Sequence, residues 1–230
     1  MSATPETIRV LHVDDDPDFA DTVATFLNRE NERFVVDTAT RASEGLNRLS
    51  RSAFDCVVSD YDMPGMDGTK FLETVRERHP DLPFILFTGK GSEEVASEAI
   101  SAGVTDYMQK ATDPSQYAVL ANRISNAAEA TRSERELAKT RRRLELALDA
   151  TDTGVWEWDP ETDEVVWNDI LERVMGLDPG AFDDSFEAFA DRVHPEDFPR
   201  VRDRIERAIE TYSMYEAEFR MRHEDGGDRW

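Results

Sequence analysis

The sequence predicts two folds in tandem: an α/β domain with a doubly wound, five-stranded parallel sheet over residues 1–130, and an α+β domain with an incomplete antiparallel sheet over residues 151–230, joined by a helical linker at 131–150. Three observations carry this reading. Up to about residue 130, short apolar runs alternate five times with longer amphipathic segments, the pattern of βα units whose strands are covered on both faces. Residues 131–148 are rich in charge and hold neither Gly nor Pro, so the last helix of the first domain runs on through them. After Asp152 aromatic and acidic residues alternate around a turn, which is the period of strands.

In chain order, strands fit residues 7–13, 33–37, 54–59, 83–87 and 104–109, and helices fit 17–29, 41–50, 67–79, 92–102 and 114–130. In the linker, Leu137, Leu144 and Leu148 recur at coiled-coil spacing, although Arg141 takes the seam position between them. Arg132, Arg135, Lys139 and Arg142 line another face and read as a solvated basic stripe. Beyond it, Gly154 to Asp159 and Glu164 to Trp167 alternate around Asp159-Pro160 as a hairpin. A helix from Asp169 to Met175 stops at Gly176, a longer one fits 196–211, and Met214 to Arg222 reads as a strand with Tyr215, Ala217, Phe219 and Met221 on one face.

Four of the apolar runs stop at a chemically pointed residue. The first ends at Asp14-Asp15, the third leads through Ser59 to Asp60, the fourth ends at Thr88 and the fifth at Lys110. In an open parallel sheet, ligands bind outside the carboxyl ends of the strands. Three carboxylates gathered there repel one another unless a cation joins them, and an oxygen-only, incompletely filled site suits Mg²⁺, which takes phosphate oxygens and waters as further ligands. Asp60 then serves as the nucleophile toward phosphorus, Lys110 as the counter-charge and Thr88 as the hydroxyl that hydrogen-bonds the phosphoryl group.

The bulk properties narrow the partners. Formal net charge is −23, and lysine occurs only at Lys70, Lys90, Lys110 and Lys139. Such an acidic body repels nucleic acid and anionic membranes, so neither is an expected partner. The acidity also suggests a halophile, whose salt screens self-repulsion. Cys56 is the single cysteine, which excludes an intramolecular disulfide and a cysteine metal cage. With no leader pattern at Met1 to Thr7 and no apolar stretch of about 20 residues, a cytoplasmic location is expected.

Val13-Asp14-Asp15-Asp16-Pro17, Asp60-Tyr61-Asp62-Met63-Pro64-Gly65-Met66-Asp67-Gly68, Leu86-Phe87-Thr88-Gly89 and Asp106-Tyr107-Met108-Gln109-Lys110 together resemble the flavodoxin-like, CheY-like receiver domain of two-component response regulators. The resemblance covers roughly residues 7–128. It implies that a histidine kinase phosphorylates Asp60; that Asp15, Asp60 and the Asp62 backbone carbonyl ligate Mg²⁺, with Asp14 acting through water; and that Thr88 and Tyr107 form a switch pair beside Lys110.

Two departures stand out. The family usually has proline after the strand-end lysine, with a cis peptide between them, whereas Ala111 follows Lys110 here. Cis geometry before a non-proline residue costs about 2.5–4 kcal/mol, so either a trans bond with a shifted loop or a strained site is expected. Asp62 and Lys90, two residues past Asp60 and Thr88, flank the path of the water that hydrolyses the aspartyl phosphate, and an ion pair between them would tune its lifetime. A haloacid-dehalogenase phosphatase uses similar residue types, but in that family the nucleophile strand precedes the paired acids. The order in this chain argues against it.

Trp156-Glu157-Trp158-Asp159, Val165-Val166-Trp167, His194-Pro195-Glu196-Asp197 and Tyr215-Glu216-Ala217-Glu218-Phe219-Arg220, followed by Asp225-Gly226-Gly227-Asp228-Arg229-Trp230, are similar to PAS domains. No cofactor is expected there: this half has no cysteine for a flavin adduct, and His194 and His223 sit in a turn motif and near a strand end. Trp230 falls at the start of the fourth of the five strands of that fold, which suggests a C-terminally incomplete domain. The combined expectation is a phosphorelay response regulator rather than a turnover enzyme, with a possible homodimer through the last receiver helix and linker. The alternative is a piece of a hybrid histidine kinase or of a receiver-PAS transcription regulator.

Overall fold

In the computed structural model, which describes residues 7–89, 93–211, 213–214 and 216–229, the five apolar runs of the first half form one parallel sheet. The strands are β1 (Ile8–Val13), β2 (Phe34–Ala39), β3 (Cys56–Ser59), β4 (Phe84–Thr88) and β5 (Asp106–Gln109), in the order β2-β1-β3-β4-β5. The helices between and after them are α1 (Pro17–Glu30), α2 (Ala42–Leu49), α3 (Gly68–Arg78), α4 (Glu93–Ser101) and α5 (Ser115–Ala150).

Alternation along each strand builds a core on either face. Val57 and Leu86 point to a cluster with Phe71, Leu72 and Val75 of α3 and Val95 and Ala99 of α4. Val58, Ile85 and Phe87 point the other way, to Val23 and Leu27 of α1 and Leu120 and Ile124 of α5. The inner strands β1, β3 and β4 are buried along almost their whole length because both faces are covered, while β2 and β5 at the edges are more polar and more exposed. Strands β3 and β5 begin two residues later than the apolar pattern predicts. Asp55 ties its carboxylate to the Arg9 N–H at 2.8 Å, and the Thr105 hydroxyl accepts the Phe84 N–H at 3.0 Å, so side chains replace ladder bonds at those entries.

Two Asp side chains start the helices that flank the strand ends. The Asp16 carboxylate accepts the N–H groups of Asp18 and Phe19 at 3.0 and 3.1 Å, with Pro17 opening α1, and Asp67 accepts the Lys70 N–H at 2.8 Å. Gly68 is required by close approach, since a Cβ there would collide with the Asp60 carbonyl oxygen.

The contacts divide the chain into units 1–137 and 138–230. In the second, β6 (Trp156–Asp159) and β7 (Glu164–Trp167) form the expected antiparallel hairpin. Helices α6 (Asp169–Val174), α7 (Phe186–Arg192) and α8 (Phe198–Thr211) follow, then a short pair, β8 (Met221–Arg222) and β9 (Asp228–Arg229). Its core is aromatic: Trp167 stacks on Phe182 at 3.9 Å between centroids, Trp158 on Phe186 at 4.5 Å and Trp156 on Phe189 at 5.5 Å.

Three expectations need correction. Among the described residues of 214–222, only Met221–Arg222 form a strand, Tyr215 lying outside the described residues; Arg204 and Arg200 donate to the carbonyls of Glu216 and Glu218 at 2.6 and 2.7 Å, so those groups are satisfied by side chains. Helix α7 lies in a stretch where no element is foreseen, capped by Ser185, which accepts the Ala188 N–H at 3.2 Å. Arg132, read as part of a solvated stripe, instead grips the first unit: its guanidinium meets the Asp55 carboxylate at 2.9 and 3.1 Å and the Thr7 carbonyl at 2.6 Å.

Candidate functional site

Parallel pairing brings the pointed residues together. Val13 lies opposite Ser59 and Thr88 opposite Gln109, so Asp14, Asp60, Thr88 and Lys110 stand at or just past the carboxyl ends of four adjacent strands. The Asp60 N–H donates to the Val13 carbonyl at 2.8 Å, and the Lys110 N–H to the Thr88 carbonyl at 2.8 Å, which carries the sheet register out to the site.

At its centre is the Lys110 ammonium, 2.7 Å from Asp14 Oδ2 and 2.9 Å from Asp60 Oδ1. Asp14 and Asp60 are buried, with 1% and 6% of their surfaces exposed, whereas Asp15 beside them is exposed. Burial pushes the Asp14 carboxyl up, against the pull of the Lys110 ammonium and the Asp16 N–H. Burial also works against the Lys110 charge, but Asp14 and Asp60 outweigh it and raise its pKa. Two buried carboxylates therefore share one half-buried cation, leaving an excess of negative charge at the strand ends. The second oxygen of Asp60 accepts the Asp62 N–H at 3.0 Å.

Two aromatic rings form the floor. Lys110 Nζ lies 4.5 Å from the centre of Phe19 and 6.0 Å from that of Phe87, within range of a cation–π attraction. Thr88 is buried. Tyr107, two residues before the end of β5, is half-buried against the core cluster on the α3 and α4 face, and Arg123 of α5 donates to its carbonyl at 3.1 Å and to Asp106 Oδ1 at 2.6 Å.

A family model for the response regulator receiver domain matches residues 10–122, the sheet and site just described. These residues belong to the response regulator receiver family. The receiver domain is 29% identical to a CheY-like receiver structure from Methanospirillum hungatei, at a TM-score of 0.51 over 56% of this chain and 99% of that one. It is 41% identical over 103 residues to the response regulator protein FleR of Pseudomonas aeruginosa, covering 44% of this chain and 21% of that protein. A match of 28% over 190 residues, 77% of this chain, reaches the Bacterioopsin transcriptional activator of Halobacterium salinarum, of which it covers 28%. The chain thus spans under a third of these curated relatives. A PAS fold model matches residues 164–230, so a PAS module follows the receiver.

Receiver domains generally use Mg²⁺. Among the described residues no three acidic, histidine or cysteine side chains are grouped to hold a metal ion. The donor set nevertheless fits Mg²⁺, which needs one or two carboxylates and takes waters and phosphate oxygens for the rest. Asp14 and Asp60 are hard oxygen donors that converge on the Lys110 ammonium, and Asp15 beside them is exposed.

No peptide bond among the described residues is cis, so the Lys110-Ala111 bond of this receiver domain is trans. In place of a proline constraint, Gln116 holds the loop: its side-chain oxygen accepts the Ala111 N–H at 2.8 Å and its side-chain nitrogen donates to the Ala111 carbonyl at 2.5 Å. Asp62 is exposed, and Lys90 lies outside the described residues. Sequence reading missed Phe19, Gln116 and Arg123, whose roles arise from contacts across the fold. In the PAS module, His194 accepts the Glu196 N–H at 3.3 Å within its turn, and His223 Nδ1 lies 2.9 Å from Asp225. No helix among the described residues is long and apolar enough to cross a membrane.

Proposed function

We propose that the chain is a phosphorelay response regulator whose receiver accepts a phosphoryl group on Asp60 from a histidine kinase and relays the change through the PAS module. The observation that carries this reading is the Lys110 ammonium held 2.7 and 2.9 Å from Asp14 and Asp60 at adjacent strand ends. That arrangement presents a carboxylate nucleophile and a counter-charge to one incoming phosphoryl group.

An oxygen of Asp60 attacks phosphorus in line as the phosphorus–nitrogen bond to the donor imidazole breaks. The electron pair leaves with that nitrogen, which takes a proton from water. Lys110 turns from the Asp60 carboxylate to the equatorial phosphoryl oxygens, and the Thr88 hydroxyl donates to one of them. Asp15, Asp60 and the Asp62 backbone carbonyl, with Asp14 through water, would hold Mg²⁺, which when bound would neutralise part of the charge on the phosphoryl oxygens. Tyr107 turns inward behind Thr88, and Asp62 with Lys90 sets the lifetime of the aspartyl phosphate.

The output is contact with a partner or self-association through α5, without direct nucleic acid binding by these acidic residues. The match to the Bacterioopsin transcriptional activator favours a second reading, in which receiver and PAS module serve a transcription regulator and DNA contact is made elsewhere. The test is incubation of the chain with acetyl phosphate, with and without Mg²⁺. Phosphate incorporation that requires Mg²⁺ and vanishes in Asp60→Asn supports the reading; equal incorporation in Asp60→Asn overturns it.

A further inference from the structure

The loop after β5 holds Lys110 by an unusual means. The Lys110 N–H is fixed by the Thr88 carbonyl at 2.8 Å, and the next residue is fixed by one side chain, since Gln116 satisfies both the N–H and the carbonyl of Ala111 at 2.8 and 2.5 Å. Gln116 is itself 7% exposed and sits in the first turn of α5, where its own N–H donates to the Asp113 carbonyl at 3.1 Å. Ala111, Thr112 and Asp113 are exposed. A primary amide that pairs with both polar groups of one residue fixes the direction of the chain there, in a way that an apolar side chain of equal size does not.

We propose that Gln116 is the positioning residue for Lys110: it locks Ala111 so that the ammonium stays between Asp14 and Asp60, and it makes the lysine and the start of α5 one mechanical piece. This rests on the phosphoryl-accepting reading of the site. Displacement of Lys110 toward a phosphoryl group then pulls on the first turn of α5, and a shift of α5 moves the lysine.

The experiment uses the full chain labelled with ¹⁵N-lysine, which has only four ammonium signals to resolve. The slowly exchanging signal of Lys110 is assigned by its loss in Lys110→Arg. Gln116→Met removes both hydrogen bonds at nearly constant volume, and the exposed Ala111 groups then turn to water. The proposal expects the Lys110 signal to broaden beyond detection in that variant and acetyl phosphate uptake to slow by about ten- to a hundredfold, the scale of a misplaced catalytic group. An unchanged Lys110 signal in Gln116→Met overturns it. Should that variant not fold, Gln116→Glu, which has the same shape but lacks the donor, is read by the same signal with the same two outcomes. If the wild-type chain takes up no phosphate, the functional reading fails, while the ammonium signal still decides the role of Gln116.

Discussion

Lys110 is the residue on which the site turns, because its ammonium is set against two buried carboxylates. Its position depends on groups of quite different kinds: the carboxylates themselves, the amide of Gln116 and the face of Phe19 at 4.5 Å. A cation–π contact contributes about 0.5–2 kcal/mol, so Phe19→Leu should slow phosphate uptake from acetyl phosphate by about two- to thirtyfold if that contact is lost in the transition state. Phe19→Tyr should keep most of the rate; equal losses in both would point to packing rather than to the ring's charge distribution. Asp14, Asp60, Thr88 and Lys110 were legible in the sequence because a carboxylate, hydroxyl or ammonium at the end of an apolar run has few reasons to be there. Phe19 and Gln116 were not legible. Phe19 looks like any core residue of an amphipathic helix, and Gln116 acts through a backbone contact that leaves no mark in residue type.

At the scale of elements, α5 is fastened to the receiver body between Arg123 and Arg132. Arg123 holds the β5 backbone at Tyr107, Arg33 pairs with Glu129 at 2.7 Å, and Arg132 grips Asp55 and the Thr7 carbonyl. Arg132→Ala should lower the stability of the first unit by about 1–2 kcal/mol in chemical denaturation, and combining it with Asp55→Asn should cost less than the sum of the two. Strictly additive losses would show that the pair is not coupled. The basic stripe hid this clasp, since nothing in its periodicity separates an arginine that reaches a carboxylate of the sheet from the other basic residues of the stripe. Met214 to Arg222 misled in the opposite sense: its alternation has the strand period, but arginines of α8 take the carbonyls that a neighbouring strand would use.

The same segment is anchored by Arg220, whose guanidinium meets both oxygens of Asp197 at 3.0 Å and Glu196 at 2.9 Å. The Arg220 side chain, and then its N–H, hold the Asp197 carboxyl well below the usual carboxylate range. A depressed folded pKa means that the contribution is complete above the unfolded value of about 3.9 and is lost as pH falls through the lower folded value. Tryptophan fluorescence reports this unit, because Trp156, Trp158 and Trp167 all lie in it. The melting temperature it records should fall less steeply below about pH 4 in Asp197→Asn than in the wild type. A parallel acid limb in both would remove the pair from the account.

For the whole molecule, a net charge of −23 makes self-repulsion a standing cost of folding. Salt shortens the Debye length from about 10 Å at 0.1 M to about 3 Å at 1 M, so the melting temperature of the full chain should rise steadily with KCl over that range. A fall would mean that the specific ion pairs outweigh the general repulsion. Composition made this legible, whereas the fold of each half came from periodicity: βα alternation fixed the parallel sheet to within about two residues at each end, and α7 escaped because its short span, opened by Ser185, has too few turns to display a helical period. What links charge, fold and site is the Asp60 carboxylate at the end of the central strand. The most direct test of the account is to treat the full chain with acetyl phosphate and Mg²⁺ and locate the base-labile phosphate by mass spectrometry of its peptides. The account predicts a single modified residue, Asp60; phosphate on any other residue, or none at all, would contradict it.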